Sequence, residues 1–465
     1  MSAQKHYDAI IIGAGVSGLY QLHRLRQAGF SVRLYEKAAG VGGTWYWNRY
    51  PGCRFDSESY TYAYSFSDEL LEEWNWSEHF AGQPETLAYL NHVADKFSLR
   101  DDIQFNTRIN TAVLNEDNSQ WAIEGENGEQ ASCQFLIMAT GILSAVQYPD
   151  IEGIDDFKGE SFHSARWPHD ANSLGGDKSV YTGKRVAVIG AGASAVQLIP
   201  HVAKDAKELV VFQRTANWAS PLFNAAITDA EQPALKAAYP EIFKACDSTS
   251  GGFVHQFDPR SIYDVSDEER NALFEKLYKE KGFSIWLSNF PEIMTDMKAN
   301  KLLSDFMADK IRQRVDDPAI AAKLVPSAHG FGQRRVPMET NYYEAYNQDN
   351  VQLVDLNETP IERITATGVK TTTDEFEFDL IIYATGFDAG TGAISRIDVQ
   401  GTNGESIKDK WANELRTYMG LQVEGYPNMF IHIGPHAAFC NIPRCAQVSV
   451  DWVSDLIEHM RTEKL

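Results

Sequence analysis

The sequence predicts an α/β fold in which two strand–turn–helix–strand units head two interleaved domains, the second carrying a helical insertion. Three observations lead there. An apolar strand at residues 7–12 runs into a glycine-rich turn and a helix, and the same succession returns at residues 185–202. Between Pro221 and Val325 the patterning turns helical and acidic, with Ser266-Asp267-Glu268-Glu269-Arg270 as a helix start. A chain of 465 residues with 43% hydrophobic residues is long enough to bury cores for two or three such domains.

The first unit consists of the strand at 7–12, the turn Gly13-Ala14-Gly15-Val16-Ser17-Gly18, a helical stretch at 19–28 and a second strand at 31–36. Glycines at 13, 15 and 18 give the tight turn and let the backbone approach a pyrophosphate at the helix N-terminus. Glu36 ends the second strand, where a carboxylate can accept from a ribose hydroxyl. The unit therefore reads as Rossmann-like and dinucleotide-binding.

The second unit follows at 185–189, with the turn Gly190-Ala191-Gly192-Ala193-Ser194-Ala195 and a strand at 208–212. Counted from the first glycine, the position that Glu36 holds in the first unit falls on Gln213, followed by Arg214 and Thr215. A carboxylate there would repel a ribose 2′-phosphate, whereas a guanidinium grips it in a bidentate pair and a threonine hydroxyl adds a donor. The first unit suits FAD and the second NADPH. The other reading of Arg214, an exposed strand-end arginine, is the weaker one at this position.

Two more apolar strands, at 135–141 and 379–386, both end in Ala-Thr-Gly, the second as Ala384-Thr385-Gly386. Each reads either as a crossing between domains beside a cofactor or as a strand closing in an ordinary turn. The resulting organisation is an FAD domain at 1–145, an NADP domain at 146–385 with its helical insertion at about 221–330, and a return to the FAD domain at 386–465.

Composition excludes several functions. With 64 acidic against 42 basic residues the formal charge is -22, which repels nucleic acid and anionic membranes. Mean hydropathy is -0.34, and no apolar run approaches the roughly 18 residues of a membrane helix. The run at 9–12 is a buried strand and not a signal peptide. Five cysteines without C-x-x-C spacing suggest neither a disulfide framework nor a metal site, so the expectation is a cytoplasmic protein with no metal. Basic residues that do cluster need a local reason, and Arg334-Arg335 stands out.

Two longer motifs are more specific. Residues 157–168 spell F-x-G-x-x-x-H-x-x-x-W-P through Phe157, Gly159, His163 and Trp167. Residues 42–56 carry Gly42-Gly43-Thr44-Trp45, then Tyr50-Pro51-Gly52 and Asp56. Together they resemble the flavin-dependent Baeyer-Villiger monooxygenases, class B flavoprotein monooxygenases. The similarity runs over essentially the whole chain and looks closest to the phenylacetone and steroid enzymes, through Tyr64-Ser65-Phe66-Ser67 and Glu73-Trp74-Asn75-Trp76.

The resemblance implies NADPH- and O2-dependent conversion of a ketone to an ester or lactone through a peroxyflavin. It implies that Gly43, Thr44, Trp45 and Asp56 face the cofactors and that Arg335 is the catalytic cation beside the peroxide anion. It makes Asp56 the carboxylate that orients Arg335, and Arg334 a further grip on the NADP phosphate. It implies that His163 couples domain movement and that residues 434–444, with Phe439, Cys440 and Asn441, lie by the substrate pocket. Without the resemblance, His163 is a packing or hinge residue, the tryptophans are core aromatics, and Arg334-Arg335 is a solvated pair. Cys440 reads as a pocket wall, having no base beside it in sequence.

Members of the family continue past the helix that here ends at 460–465, with a tryptophan-bearing loop over nicotinamide and substrate. The expectation is either a tail beyond this chain or an early end that weakens water exclusion and favours peroxide release. Two other functions stay open: a heteroatom-oxygenating flavin monooxygenase, against which Trp167 and Arg335 argue, and a flavin protein that only oxidises NADPH or does no catalysis. A monomer is the default, and the ketone itself is not legible.

Overall fold

The computed structural model describes residues 5–168, 179–437 and 439–464. Ala438, within the segment expected near the substrate pocket, lies outside the described residues.

Strands β1 (Lys5–Ile12), β2 (Val32–Tyr35), β3 (Ile103–Gln104), β4 (Ile109–Asn115), β5 (Gln120–Gly125) and β6 (Gln130–Met138) build the first sheet. β7 (Glu160–His163), β8 (Arg185–Ile189), β9 (Glu208–Gln213), β10 (Val351–Asp355) and β11 (Leu380–Tyr383) build the second, in the order β10–β9–β8–β11–β7, with every pair parallel. The chain then returns to the first sheet with β12 (Asp398–Gln400) beside β4 and β13 (Met429–Ile431) beside β6. The first sheet thus runs β12–β4–β5–β6–β1–β2–β3.

Strand composition follows burial. Ala9 to Ile12 and Phe135 to Met138 are buried in register against each other, as parallel strands covered on both faces require. Val186 to Ile189 and Leu209 to Phe212 do the same in the second sheet.

The helices after the two glycine turns are α1 (Val16–Gln27) and α2 (Ala193–Asp205). Both start a few residues earlier than, or run slightly past, the stretches that apolar periodicity marks. The last helix, α3 (Ile442–Glu463), packs along α1. Tyr20 donates to Asp451 at 2.6 Å and Gln21 to Ser454 at 2.9 Å across that contact.

The acidic stretch is helical as its patterning predicts, including Asp267–Tyr278 and Met297–Arg314. Ser266 and Glu269 form a reciprocal capping box at the first of these. A short parallel pair, Ser220–Pro221 with Met338–Glu339, closes its base. The insertion also rests on residues 58–80: His79 N donates to Ala225 O and Ile227 N to Ser77 O, both at 2.9 Å. A buried His255–Glu58 pair at 3.0 Å ties the two together. Among the described residues no helix is long and apolar enough to cross a membrane.

Candidate active site

The two glycine turns are built alike down to one close contact. Gly13 has φ +110, and a Cβ there would stand 2.5 Å from the Ala139 carbonyl oxygen. Gly190 has φ +113, with the same hypothetical Cβ 2.4 Å from the Ala384 carbonyl oxygen. Each Ala-Thr-Gly strand end therefore presses its backbone against the first glycine of its own unit. Both strand ends thus lie beside a glycine turn of the kind the sequence marks as dinucleotide-binding. Gly18 is not among the residues that wall the cavity described next; its missing side chain lets α1 seat on Gly13, whose carbonyl oxygen would be 1.9 Å from a Cβ.

A cavity of about 770 Å3 opens from the first turn and extends between the two units. Gly13, Gly15, Glu36, Gly43, Thr44, Trp45 and Asp56 wall it from the first unit. Gly192, Ala193, Ser194, Ala384 and Gly386 wall it from the second, and Arg335, Phe439, Cys440 and Asn441 complete it. Gly190, Arg214, Thr215, Arg334 and Thr385 stand outside that wall. Arg214, just past the end of β9, and Arg334 are exposed, Arg214 with no carboxylate partner among the described residues, while Thr385 donates to Gln147 O at 2.6 Å.

A dinucleotide fits the residues present. Gly15 and Gly43 meet so closely that a Cβ on Gly43 would lie 2.8 Å from Gly15 Cα, leaving bare backbone facing the cavity at the head of α1. Glu36 is held in place by Ala14 N at 2.7 Å and Ala38 N at 2.8 Å, one on each carboxylate oxygen, with acceptor capacity left for a ribose. Burial raises its pKa against the pull of those two N–H groups. Trp45 is buried, donates its indole N–H to Tyr62 at 3.0 Å, and stands edge-on to Phe55 and Tyr62, so it shapes the wall as a core aromatic.

Asp56 is almost wholly enclosed, and Arg335, half exposed, reaches it with 2.8 Å between guanidinium and carboxylate. Burial raises the Asp56 pKa, opposed chiefly by the Arg335 charge and hydrogen bond. The guanidinium is thus anchored at one edge and open to the cavity at the other, a fixed cation available to an anion.

The fingerprint residues are structural in these contacts. His163 is fully buried; its Nδ1 accepts from Ala165 N at 3.0 Å, so Nε2 carries the proton and donates to Gly386 O at 2.9 Å. Burial lowers its pKa to about 4, which keeps it neutral and makes it a tie between the linker and the second Ala-Thr-Gly. Gly159 leaves space for the Phe157 ring, which would lie 2.4 Å from a Cβ, and Trp167 is buried edge-on to Phe162. Asn441 stands just before α3, and its side-chain amide donates to the Thr61 hydroxyl at 2.8 Å instead of capping the helix. The hydrogen bond with the Cys445 thiol, then burial, holds the Cys440 thiol protonated, as befits a pocket wall.

Several lining residues carry no local sequence signal. Phe253 and Phe283 come from the insertion, pack around Phe439 and line the same cavity as Arg335. Arg166, inside the fingerprint at an unspecified position, stands 4.6 Å from the Trp47 ring centre. Gln197 approaches Asp56 from α2. Only the helical period of α2 hints that Gln197, one turn after Ala193, faces the same way as the second glycine turn.

Residues 6–224 match the family model for flavin-binding monooxygenase-like proteins. The chain is 51% identical over 457 residues to a 2-oxo-Δ3-4,5,5-trimethylcyclopentenylacetyl-CoA monooxygenase of Pseudomonas putida, covering 98% of this chain and 84% of that protein. It is 44% identical to an acetone monooxygenase (methyl acetate-forming) of Gordonia sp. (strain TY-5), over 98% of this chain and 84% of that one. A solved structure of OTEMO in complex with FAD and NADP superposes with a TM-score of 0.96 at 49% identity, over 99% of this chain and 86% of that one. With these likenesses and both motifs in place around one cavity, the chain belongs to the flavin-dependent Baeyer-Villiger monooxygenases.

Proposed function

We propose that this protein uses FAD, NADPH and O2 to convert ketones to esters or lactones. The observation that carries the reading is the Asp56–Arg335 pair, a guanidinium pinned by a buried carboxylate on the wall of a cavity that both nucleotide turns share. Bound along the Gly13–Glu36 side, FAD would supply hydride acceptance and oxygen activation.

The remaining work falls to the chain's own residues. Gly13, Gly15 and Gly43 bring backbone to the FAD diphosphate, and Glu36 takes a ribose hydroxyl. Gly192, Ala193 and Ser194 receive the second nucleotide, with Arg214, Thr215 and Arg334 as the group that selects its 2′-phosphate. Arg335 stabilises negative charge on oxygen during attack on the ketone, and its fixed position avoids the cost of reorienting solvent. Phe253, Phe283 and Phe439 keep water from that charge. The division into an FAD domain at 1–145 and 386–465 and an NADP domain at 146–385 is supported by the way β12 and β13 return to the first sheet. Five free cysteines support a reducing, cytoplasmic setting, and a monomer is our working state.

The test is to mix the purified protein with NADPH and air, with and without a ketone panel and a sulfide, and to quantify products and peroxide. Ester or lactone formed in step with NADPH use supports the proposal. Sulfoxide without ester favours heteroatom oxygenation, and peroxide alone across the panel refutes oxygen transfer.

A further inference from the structure

α2 belongs to the second nucleotide unit, yet one of its side chains finishes in the first. Gln197 donates from Nε2 to the Arg54 carbonyl at 3.0 Å and to Asp56 Oδ1 at 3.4 Å, and its Oε1 accepts from the Tyr50 hydroxyl at 2.9 Å. The other Asp56 oxygen, Oδ2, holds Arg335 at 2.8 Å. The approach of α2 is as close as backbone allows: at Gly52, φ +80, a Cβ would stand 2.7 Å from the Gln197 carbonyl and 2.6 Å from the His201 ring.

A glutamine suits this place on chemical grounds. The Tyr50 hydroxyl donates to the amide oxygen, which turns the NH2 group toward the carboxylate. A cation there would compete with Arg335 for Asp56, and a carboxylate would repel Asp56 in an enclosed site. The amide supplies a donor without adding charge. Because Gln197 and the turn at Gly192–Ser194 sit on one rigid helix, any shift of α2 on nucleotide docking carries the amide with it.

Resting on the monooxygenase reading above, we infer that Gln197 is a positioning residue that ties the second nucleotide turn to Arg335 by fixing the direction of Asp56. Its side chain touches neither reacting oxygen nor ketone in this scheme; it acts through Asp56.

The experiment compares Gln197→Leu, similar in size and without polar atoms, with the unmodified holoenzyme. Ester formed per NADPH oxidised is expected to fall about tenfold, with peroxide making up the difference, because misplacement of a charge-stabilising group by an ångström costs up to about a hundredfold. Losses from Gln197→Leu and Asp56→Asn should not add in the double variant, since both act on the same carboxylate. Should Gln197→Leu fail to fold, Gln197→Glu keeps the shape and should show at least the same loss. An unchanged ester-to-peroxide ratio, or additive losses, overturns the inference. No ester from the unmodified enzyme with any ketone overturns the monooxygenase reading instead.

Discussion

Gly52→Ala isolates the contact between α2 and the segment that carries Asp56. At φ +80 an alanine pays about 1 kcal/mol for left-handed backbone. Its Cβ would also meet the His201 ring and the Gln197 carbonyl at 2.6 and 2.7 Å, an overpacking worth a further 1–3 kcal/mol or so. The sum is about 2–4 kcal/mol. Gly29 provides the control: its φ is +76, and nothing lies within 4 Å of a Cβ there, so Gly29→Ala should cost only the backbone share of about 1 kcal/mol. Urea midpoints followed by tryptophan fluorescence read both costs, provided the slopes stay the same. The Gly52 variant should also release more peroxide per NADPH, because α2 is pushed off Asp56. Equal midpoint shifts in the two variants would show instead that α2 does not press on Gly52.

Three further outcomes are expected. Arg335→Ala should keep both cofactors, read by flavin absorbance and NADPH titration, and lose ester formation by at least about a hundredfold, as for loss of one donor to a developing oxyanion; normal turnover removes Arg335 from the chemistry. Arg214→Ala should raise KM for NADPH by about 10–100-fold while leaving NADH little changed, the worth of a charge-assisted hydrogen bond of roughly 1.5–3 kcal/mol; an equal effect on both nucleotides returns Arg214 to an ordinary surface arginine. His163, with a folded pKa of about 4 against an ordinary 6.5, contributes stability that is complete above pH 6.5 and is lost as pH falls through about 4. That amounts to roughly 3 kcal/mol, so unfolding midpoints measured from pH 7 to pH 4.5 should fall less steeply in His163→Gln than in the unmodified protein.

Much of the fold was legible because the nucleotide units are local. Glycine turns, their strands and their helices lie within about thirty residues of sequence, the scale on which periodicity speaks. Arg335 and Asp56 lie 279 residues apart in the chain and 2.8 Å apart in the structure, a contact that no local pattern announces. What escaped was set by long-range packing. Gln197 looks like any polar helix residue until α2 docks on Gly52, and Phe253 and Phe283 look like insertion core until the insertion folds onto residues 58–80. The helical patterning of the insertion was visible; its seat on the first unit was not, because that contact rests on loop backbone, as between His79 and Ala225. His163 shows the reverse case: the motif marks the residue, but only burial and its bond to Gly386 O show that it is a neutral tie.

The late return of β13 bears on how the chain matures. Leu136 to Met138 of β6 pair with β1 on one side and with Met429–Ile431 on the other. During synthesis that second edge stays open until nearly the whole chain has emerged, whereas every strand of the second sheet is made by residue 383. Sheet two can close while sheet one still shows a bare, apolar edge. Closing that edge of the first sheet joins residues farther apart in sequence than any strand pair of the second sheet. Should flavin bind at the turn of Gly13 to Gly18 as proposed, it would favour the folded first sheet by mass action, and starving the host of riboflavin should lower the yield of folded protein well before it lowers activity per molecule.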